Sequence, residues 1–213
     1  MKQISLIILA LSFLYFVNAQ DYTISNLGVS KKHIREYINS GQYEKDQKKA
    51  IDDAILVFDN LKIPGMPLVI FDIDETALSN LEYELKYDFG FESQSWHNWI
   101  LSSQAPALKE VKRLYDTLLS RNINIAFMTG RSESQYSATL HNLKSAGYTK
   151  FDTLICKSQL YSGKKAIDYK SDVRRILSQK YNIIASVGDQ WSDLDGGYTI
   201  LKIKIPNPYY FLD

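Results

Sequence analysis

One cysteine, three histidines and almost no net charge exclude several common kinds of protein at the outset. A single thiol, Cys156, cannot form a disulfide within the chain, so stability must come from packing. Its setting, "TLICK", reads as a buried strand, where cysteine acts as a small hydrophobe rather than a catalytic thiol. His33, His97 and His141 are scattered without metal-ligand spacing and read as surface or packing residues. His97, beside Trp96, is the one placed to touch a substrate. With 25 basic and 24 acidic residues there is no electrostatic reason to bind nucleic acid or an anionic membrane. Internal repeats, low-complexity tracts and Pro/Gly-rich linkers are also missing, so residues 20–213 read as one domain.

The one long apolar run lies at the N-terminus. Lys2 precedes Ile4–Val17, and Val17-Asn18-Ala19 ends in the small residue that a signal peptidase reads. The run is short for a membrane span and has no basic stop-transfer flank. Residues 1–19 therefore read as a signal peptide, with a retained anchor as the alternative, and no stable membrane span is expected. Their removal takes one lysine and leaves 24 basic against 24 acidic residues. The mature chain is expected to be exported: secreted, periplasmic, or in a vacuolar or lysosomal-type compartment.

Helical periodicity covers residues 29–62, with a turn at Ser40-Gly41. Strands are expected at 67–73, 123–130, 153–157, 183–187 and 199–204, and helices at 106–120, 132–147 and 170–180. Ser132 and Gln135 read as a capping box. Strands alternating with helices imply an α/β fold, a Rossmann-like, mostly parallel sheet with helices on both faces. Residues 79–105 break the alternation with Tyr83, Tyr87, Phe89, Phe91, Trp96 and Trp99, and read as a small aromatic-rich cap insertion. Those rings can stack on a substrate or pack the cap onto the core.

Chemistry in such sheets gathers at the carboxyl ends of the strands. "VIFDIDETALSN" places Asp72 and Asp74 there, two carboxylates whose repulsion a hard divalent cation such as magnesium relieves. An aspartate ordered by a metal is a competent nucleophile, and a second acid can protonate a leaving oxygen. Alone, the motif also fits a strand-to-turn corner whose acids cap local amides. The other strand ends add Thr129 and Gly130 in "FMTGR", offering a hydroxyl and amides to an anion. "YKSDVRR" adds Lys170, expected at a helix start, and "GDQWSDL" adds Asp189 and Asp193. Arg131 reads as a helix-start arginine paired with a local acid, or as a phosphate contact.

In order and residue type, "FDIDETALSN", "MTGRSESQ", "YKSDVRR", "GDQWSDL" and "IPNPYY" resemble the motifs of the haloacid-dehalogenase superfamily. They are most similar to its exported acid phosphatase branch, class B/IIIB, which includes plant acid phosphatases and vegetative storage proteins. The resemblance spans roughly residues 30–213. It implies a magnesium-dependent phosphomonoesterase with Asp72 as nucleophile and Asp74 as acid and base. It further implies Thr129, Gly130 and Lys170 as phosphate-binding residues, and Asp189 as a metal ligand beside Asp72 and the Asp74 carbonyl. Asp193 is implied as a supporting acid. Storage-type relatives can lose the nucleophile, but here position 72 keeps it. A storage or binding protein with little turnover, or a phosphotransferase, are the competing expectations. A nucleoside monophosphate or an aryl phosphate would suit the aromatic cap.

Overall fold

The computed structural model describes residues 26–61 and 64–212; the expected signal peptide, residues 1–19, lies outside them. Five strands form one parallel sheet: β1 (Pro67–Phe71), β2 (Asn124–Ser132), β3 (Thr153–Lys157), β4 (Asn182–Gly188) and β5 (Leu201–Lys204). Their order is β3-β2-β1-β4-β5. The chain winds outward from β1 through β2 to β3, then returns to set β4 on the other side of β1. That reversal leaves a crevice between the carboxyl ends of β1 and β4. Asp72 directly follows β1 and Asp189 directly follows β4.

Alternation along β1 feeds two cores. Val69 and Phe71 pack with α2 (Gln42–Asn60), α5 (Lys109–Ser120) and α6 (Tyr136–Ser145), through Phe58, Leu114 and Leu143. Leu68 and Ile70 pack on the opposite face against Tyr169 and Val173 of α7 (Ala166–Leu177). Each fully buried Leu, Ile or Phe contributes about 1.5–3 kcal/mol. Exposed ion pairs such as Lys48–Asp52 on α2 add little by comparison. Helix α1 (Leu27–Asn39) is capped by Asn26, whose Oδ1 accepts from Gly28 N at 2.9 Å, and it ends before the Gly41 turn. The expected cap holds α3 (Leu81–Lys86) and α4 (Ser93–Ser102). Among the described residues no helix is long and apolar enough to cross a membrane. Cys156 is buried on β3, and burial pushes its thiol up to about 11, in keeping with a packing role.

The helix expected at 170–180 is a correction: α7 starts at Ala166, so Lys170 lies in its second turn and not at its amino end. The start was hidden because Lys165 in the capping position makes no side-chain cap bond. Helix α7 buries Tyr169, Lys170, Val173 and Arg174, one face that alternates apolar packing with cationic reach.

Arg174 is fully buried and holds the loop after α8 (Trp191–Leu194). It donates Nη1 to Asp193 O at 2.6 Å, Nε to Gly197 O at 3.0 Å and Nη2 to Asp195 O. Gly196 sits in that loop at φ +91°, and a Cβ there would lie 2.7 Å from Ser171 Cβ. Arg174→Met strands three carbonyls and should cost roughly 3 kcal/mol, lowering the melting temperature by about 6–12 °C. Arg175→Met breaks only an exposed pair with Asp172 and should stay within about one degree of the parent. Thermal unfolding of both variants checks this; equal shifts would show that the buried guanidinium does not organise the loop.

Candidate active site

Asp72 continues the Leu68–Ile70 face of β1 and so points toward α7. There Lys170 Nζ donates to Asp72 Oδ1 and to Asp193 Oδ1, each at 2.5 Å. Both carboxylates and the ammonium are buried. The other oxygen of Asp193 accepts from Gln190 N at 2.8 Å, so this acid is fully committed to orienting Lys170 and its own turn. Gly188 permits that approach: a Cβ on it would fall 2.2 Å from Asp193 Cβ.

Asp189 accepts Thr76 Oγ1 on one oxygen at 3.1 Å. Its other oxygen accepts Gln190 Nε2 at 2.6 Å and Asn207 Nδ2 at 2.7 Å. Oxygens of Asp72, Asp189 and Asp193 lie within 4.8 Å of one another. Burial, then the charge of Asp193, raises Asp72 well above the usual carboxylate range, against the pull of Lys170. The same two causes push Asp189 up to about 6. Buried carboxylates crowded in this way fit a hard cation with oxygen ligands, and Asp72 and Asp189 are the pair able to hold it.

Asp74 stands apart from that cluster. Arg131 grips it from Nη2 at 2.7 Å and from Nε at 3.0 Å, and Asn80 Nδ2 adds a bond at 3.0 Å. The expectation that Arg131 pairs with a local acid is therefore corrected, since its partner is 57 positions away. A bulge explains it. Thr129 pairs with Cys156 but Ser132 pairs with Lys157, so extra β2 residues loop out and re-aim the Arg131 side chain. Thr129 is wholly buried with its Oγ1 accepting from Arg131 N at 3.1 Å, whereas Gly130 lines the cavity with open space where a Cβ would sit. The Ser132–Gln135 capping box is present, and His97 Nδ1 lies 3.2 Å from Gln135 Nε2.

Several contributors carried no assigned role in the sequence reading. Asn80 links Asp74, Glu75 and the indole of Trp99, whose Nε1 donates to Asn80 Oδ1 at 2.7 Å. Glu75 takes φ +55° and accepts from Tyr210 OH at 2.8 Å; burial, then Asp74, pushes it up to about 8. Asn207 and Tyr210 belong to "IPNPYY", a segment visible as a motif but distant in sequence from every partner. The cavity above these groups measures about 490 Å³ and extends under the cap to Tyr83, Phe89, Phe91 and Trp96. The cap rings also pack: Tyr83 lies 4.6 Å from Tyr87 and 5.0 Å from Trp96 between centroids.

A family model for the HAD superfamily, subfamily IIIB (acid phosphatase), matches residues 17–213. The stem 28 kDa glycoprotein of Glycine max is 37% identical over 185 residues, covering 84% of this chain and 73% of that protein. Acid phosphatase 1 of Solanum lycopersicum is 33% identical over 187 residues, covering 84% and 73%. The class C acid phosphatase of Bacillus anthracis, solved with tungstate bound, superposes with a TM-score of 0.71 at 20% identity over 86% of each chain, which establishes a shared fold. The chain thus belongs to the haloacid-dehalogenase superfamily, subfamily IIIB, the acid phosphatases, and is by that membership a phosphomonoesterase.

Proposed function

We propose that the chain is an exported, magnesium-dependent acid phosphatase that hydrolyses phosphate monoesters through a phosphorylated Asp72. The observation that carries this reading is Lys170, held between Asp72 and Asp193 beside Asp189 at the base of the cavity. Asp72, Asp189 and the Asp74 backbone carbonyl would hold the magnesium, which neutralises charge on the phosphoryl oxygens. Export rests on the leader-like pattern of residues 1–19.

In the first half-reaction an oxygen of Asp72 attacks phosphorus and the bond to the leaving alcohol breaks. Asp74 gives a proton to that alcohol oxygen. In the second half-reaction Asp74 takes a proton from water, whose oxygen attacks phosphorus and displaces the Asp72 carboxylate. Lys170 stays near the transferring group and balances its charge throughout. Arg131 acts as a positioning residue: its planar fork keeps Asp74 aimed into the cavity, away from Asp72. Gly130 is the phosphate-facing part of the β2 end, with the Thr129 hydroxyl behind it. The cap rings line the side of the cavity that the leaving group would occupy.

Wild-type protein should release phosphate from p-nitrophenyl phosphate with magnesium and lose that activity in a chelator. Asp72→Asn should lose at least about 1,000-fold, since it removes the nucleophile. Magnesium should raise the melting temperature of the wild type but not of Asp189→Asn. A folded wild type that releases nothing would leave a storage role on the same scaffold; release indifferent to chelator would remove the metal.

Asp74→Asn tests the proton role. Loss in kcat/KM should be at least about tenfold larger for an alkyl phosphate, whose alkoxide needs a proton, than for p-nitrophenyl phosphate. Equal losses on the two substrates would assign Asp74 to structure and not to proton transfer.

A further inference from the structure

Four of the carboxyls lining the cavity, Asp72, Asp74, Asp189 and Asp193, are bonded to cations or amides of the chain. Glu84 also lines it, on the cap helix α3, and is only 6% exposed. Among the described residues its side chain has no hydrogen-bond or ion-pair partner, although its backbone is regular helix. Burial alone pushes its carboxyl up to about 7, with no neighbouring cation to oppose the shift. Its carboxyl opens onto the cavity with no protein partner, and is therefore free to meet a donor or cation that a ligand brings.

The surroundings narrow that ligand. Phe91 and Trp96 line the same cavity, and rings with a carboxylate are the combination that holds an ammonium group. A heteroaromatic base would need donors and acceptors along its edge. The two amide side chains nearby are already engaged: Gln135 with Ser132 and His97, and Gln190 with Asp189 and the Leu212 amide. The residues assigned to phosphate lie at the strand ends and Glu84 on the cap, so Glu84 is placed to meet the leaving alcohol.

We propose that Glu84, with the rings of Phe91 and Trp96, forms a leaving-group subsite that selects phosphomonoesters whose alcohol carries an ammonium group. This deepens the phosphatase reading and rests on it. The subsite sorts substrates by charge at the far end of the alcohol and leaves the phosphoryl chemistry to the residues at the strand ends.

Phosphocholine and 3,3-dimethylbutyl phosphate, which replaces the nitrogen with carbon at nearly the same shape, isolate the charge. Calorimetry on Asp72→Asn protein with magnesium measures binding of both without turnover. Phosphocholine should bind about tenfold tighter or more, and adding Glu84→Gln should cut that ratio at least fivefold. A ratio near one with Glu84 intact, or a ratio unmoved by Glu84→Gln, overturns the subsite. Should Glu84→Gln fail to fold, the ratio with Glu84 intact decides by itself. Wild-type turnover of p-nitrophenyl phosphate reports separately on the phosphatase reading. Turnover with a ratio near one removes the subsite alone, whereas no turnover and no binding of either ester removes both.

Discussion

Lys170 sits 2.5 Å from an oxygen of Asp72 and 2.5 Å from an oxygen of Asp193, in a region closed to solvent, and that placement constrains much of the chain around it. An ammonium so deeply buried needs both carboxylates: burial opposes its charge, and Asp193 and Asp72 together hold it above the usual lysine range. Delivering it requires α7 to lie against β1, which the Tyr169 and Val173 contacts with Leu68 and Ile70 secure. Delivering Asp193 requires a glycine at 188 and a loop pinned by Arg174, four residues beyond Lys170 on the same helix face. One helix therefore sets both the charge in the site and the backbone that balances it.

The two ends of the described chain close over the opposite side. From α1, Lys31 and Arg35 reach Asp88 at 2.7 and 2.8 Å, and the Arg35 guanidinium lies 5.0 Å from the ring centre of Phe89. Phe89 in turn stacks on Tyr209 at 6.0 Å, and Tyr209 meets Tyr43 of α2 edge-on at 5.8 Å. Asp88 and Phe89 both hold positive φ, at 52° and 58°, a conformation that non-glycine residues adopt only under surrounding constraint. The exposed ion pairs are individually weak. The buried rings beneath them supply the constraint, so the cap loop is shaped by segments far from it in sequence.

This pattern explains what was legible beforehand. The carboxyl ends of β1 and β4 are local features: an apolar run ending in Asp72 or Asp189 marks its own boundary, and the parallel fold follows from the alternation. The acid that Arg131 pairs with was not legible, because the pairing depends on a bulge and a bulge has no composition of its own. The amino end of α7 was misplaced because Lys165 carries none of the usual capping chemistry. Asn207 and Tyr210 serve Asp189 and Glu75 across the fold, a pairing that periodicity cannot reveal. The dual behaviour of the cap aromatics was visible as two options, and the rings of Tyr83 and Trp96 take both: they pack on each other and line the cavity.

Two aspartates separated by one residue end in different electrical surroundings. Asp72 shares a buried lysine with Asp193 and faces Asp189, a setting that crowds negative charge and invites a cation. Asp74, turned aside after the tight Ile73–Glu75 corner, is matched instead by a planar guanidinium that cannot lose its proton. Five carboxyls, Asp72, Asp74, Glu75, Asp189 and Asp193, meet here, while Lys170 and Arg131 are the cations bonded to those that are paired. A dianionic ester entering such a site would add to the excess of negative charge unless a divalent cation came with it. Metal and substrate are therefore linked in the proposed reaction: the acids that repel phosphate in the bare site are the ones that bring in the ion that attracts it.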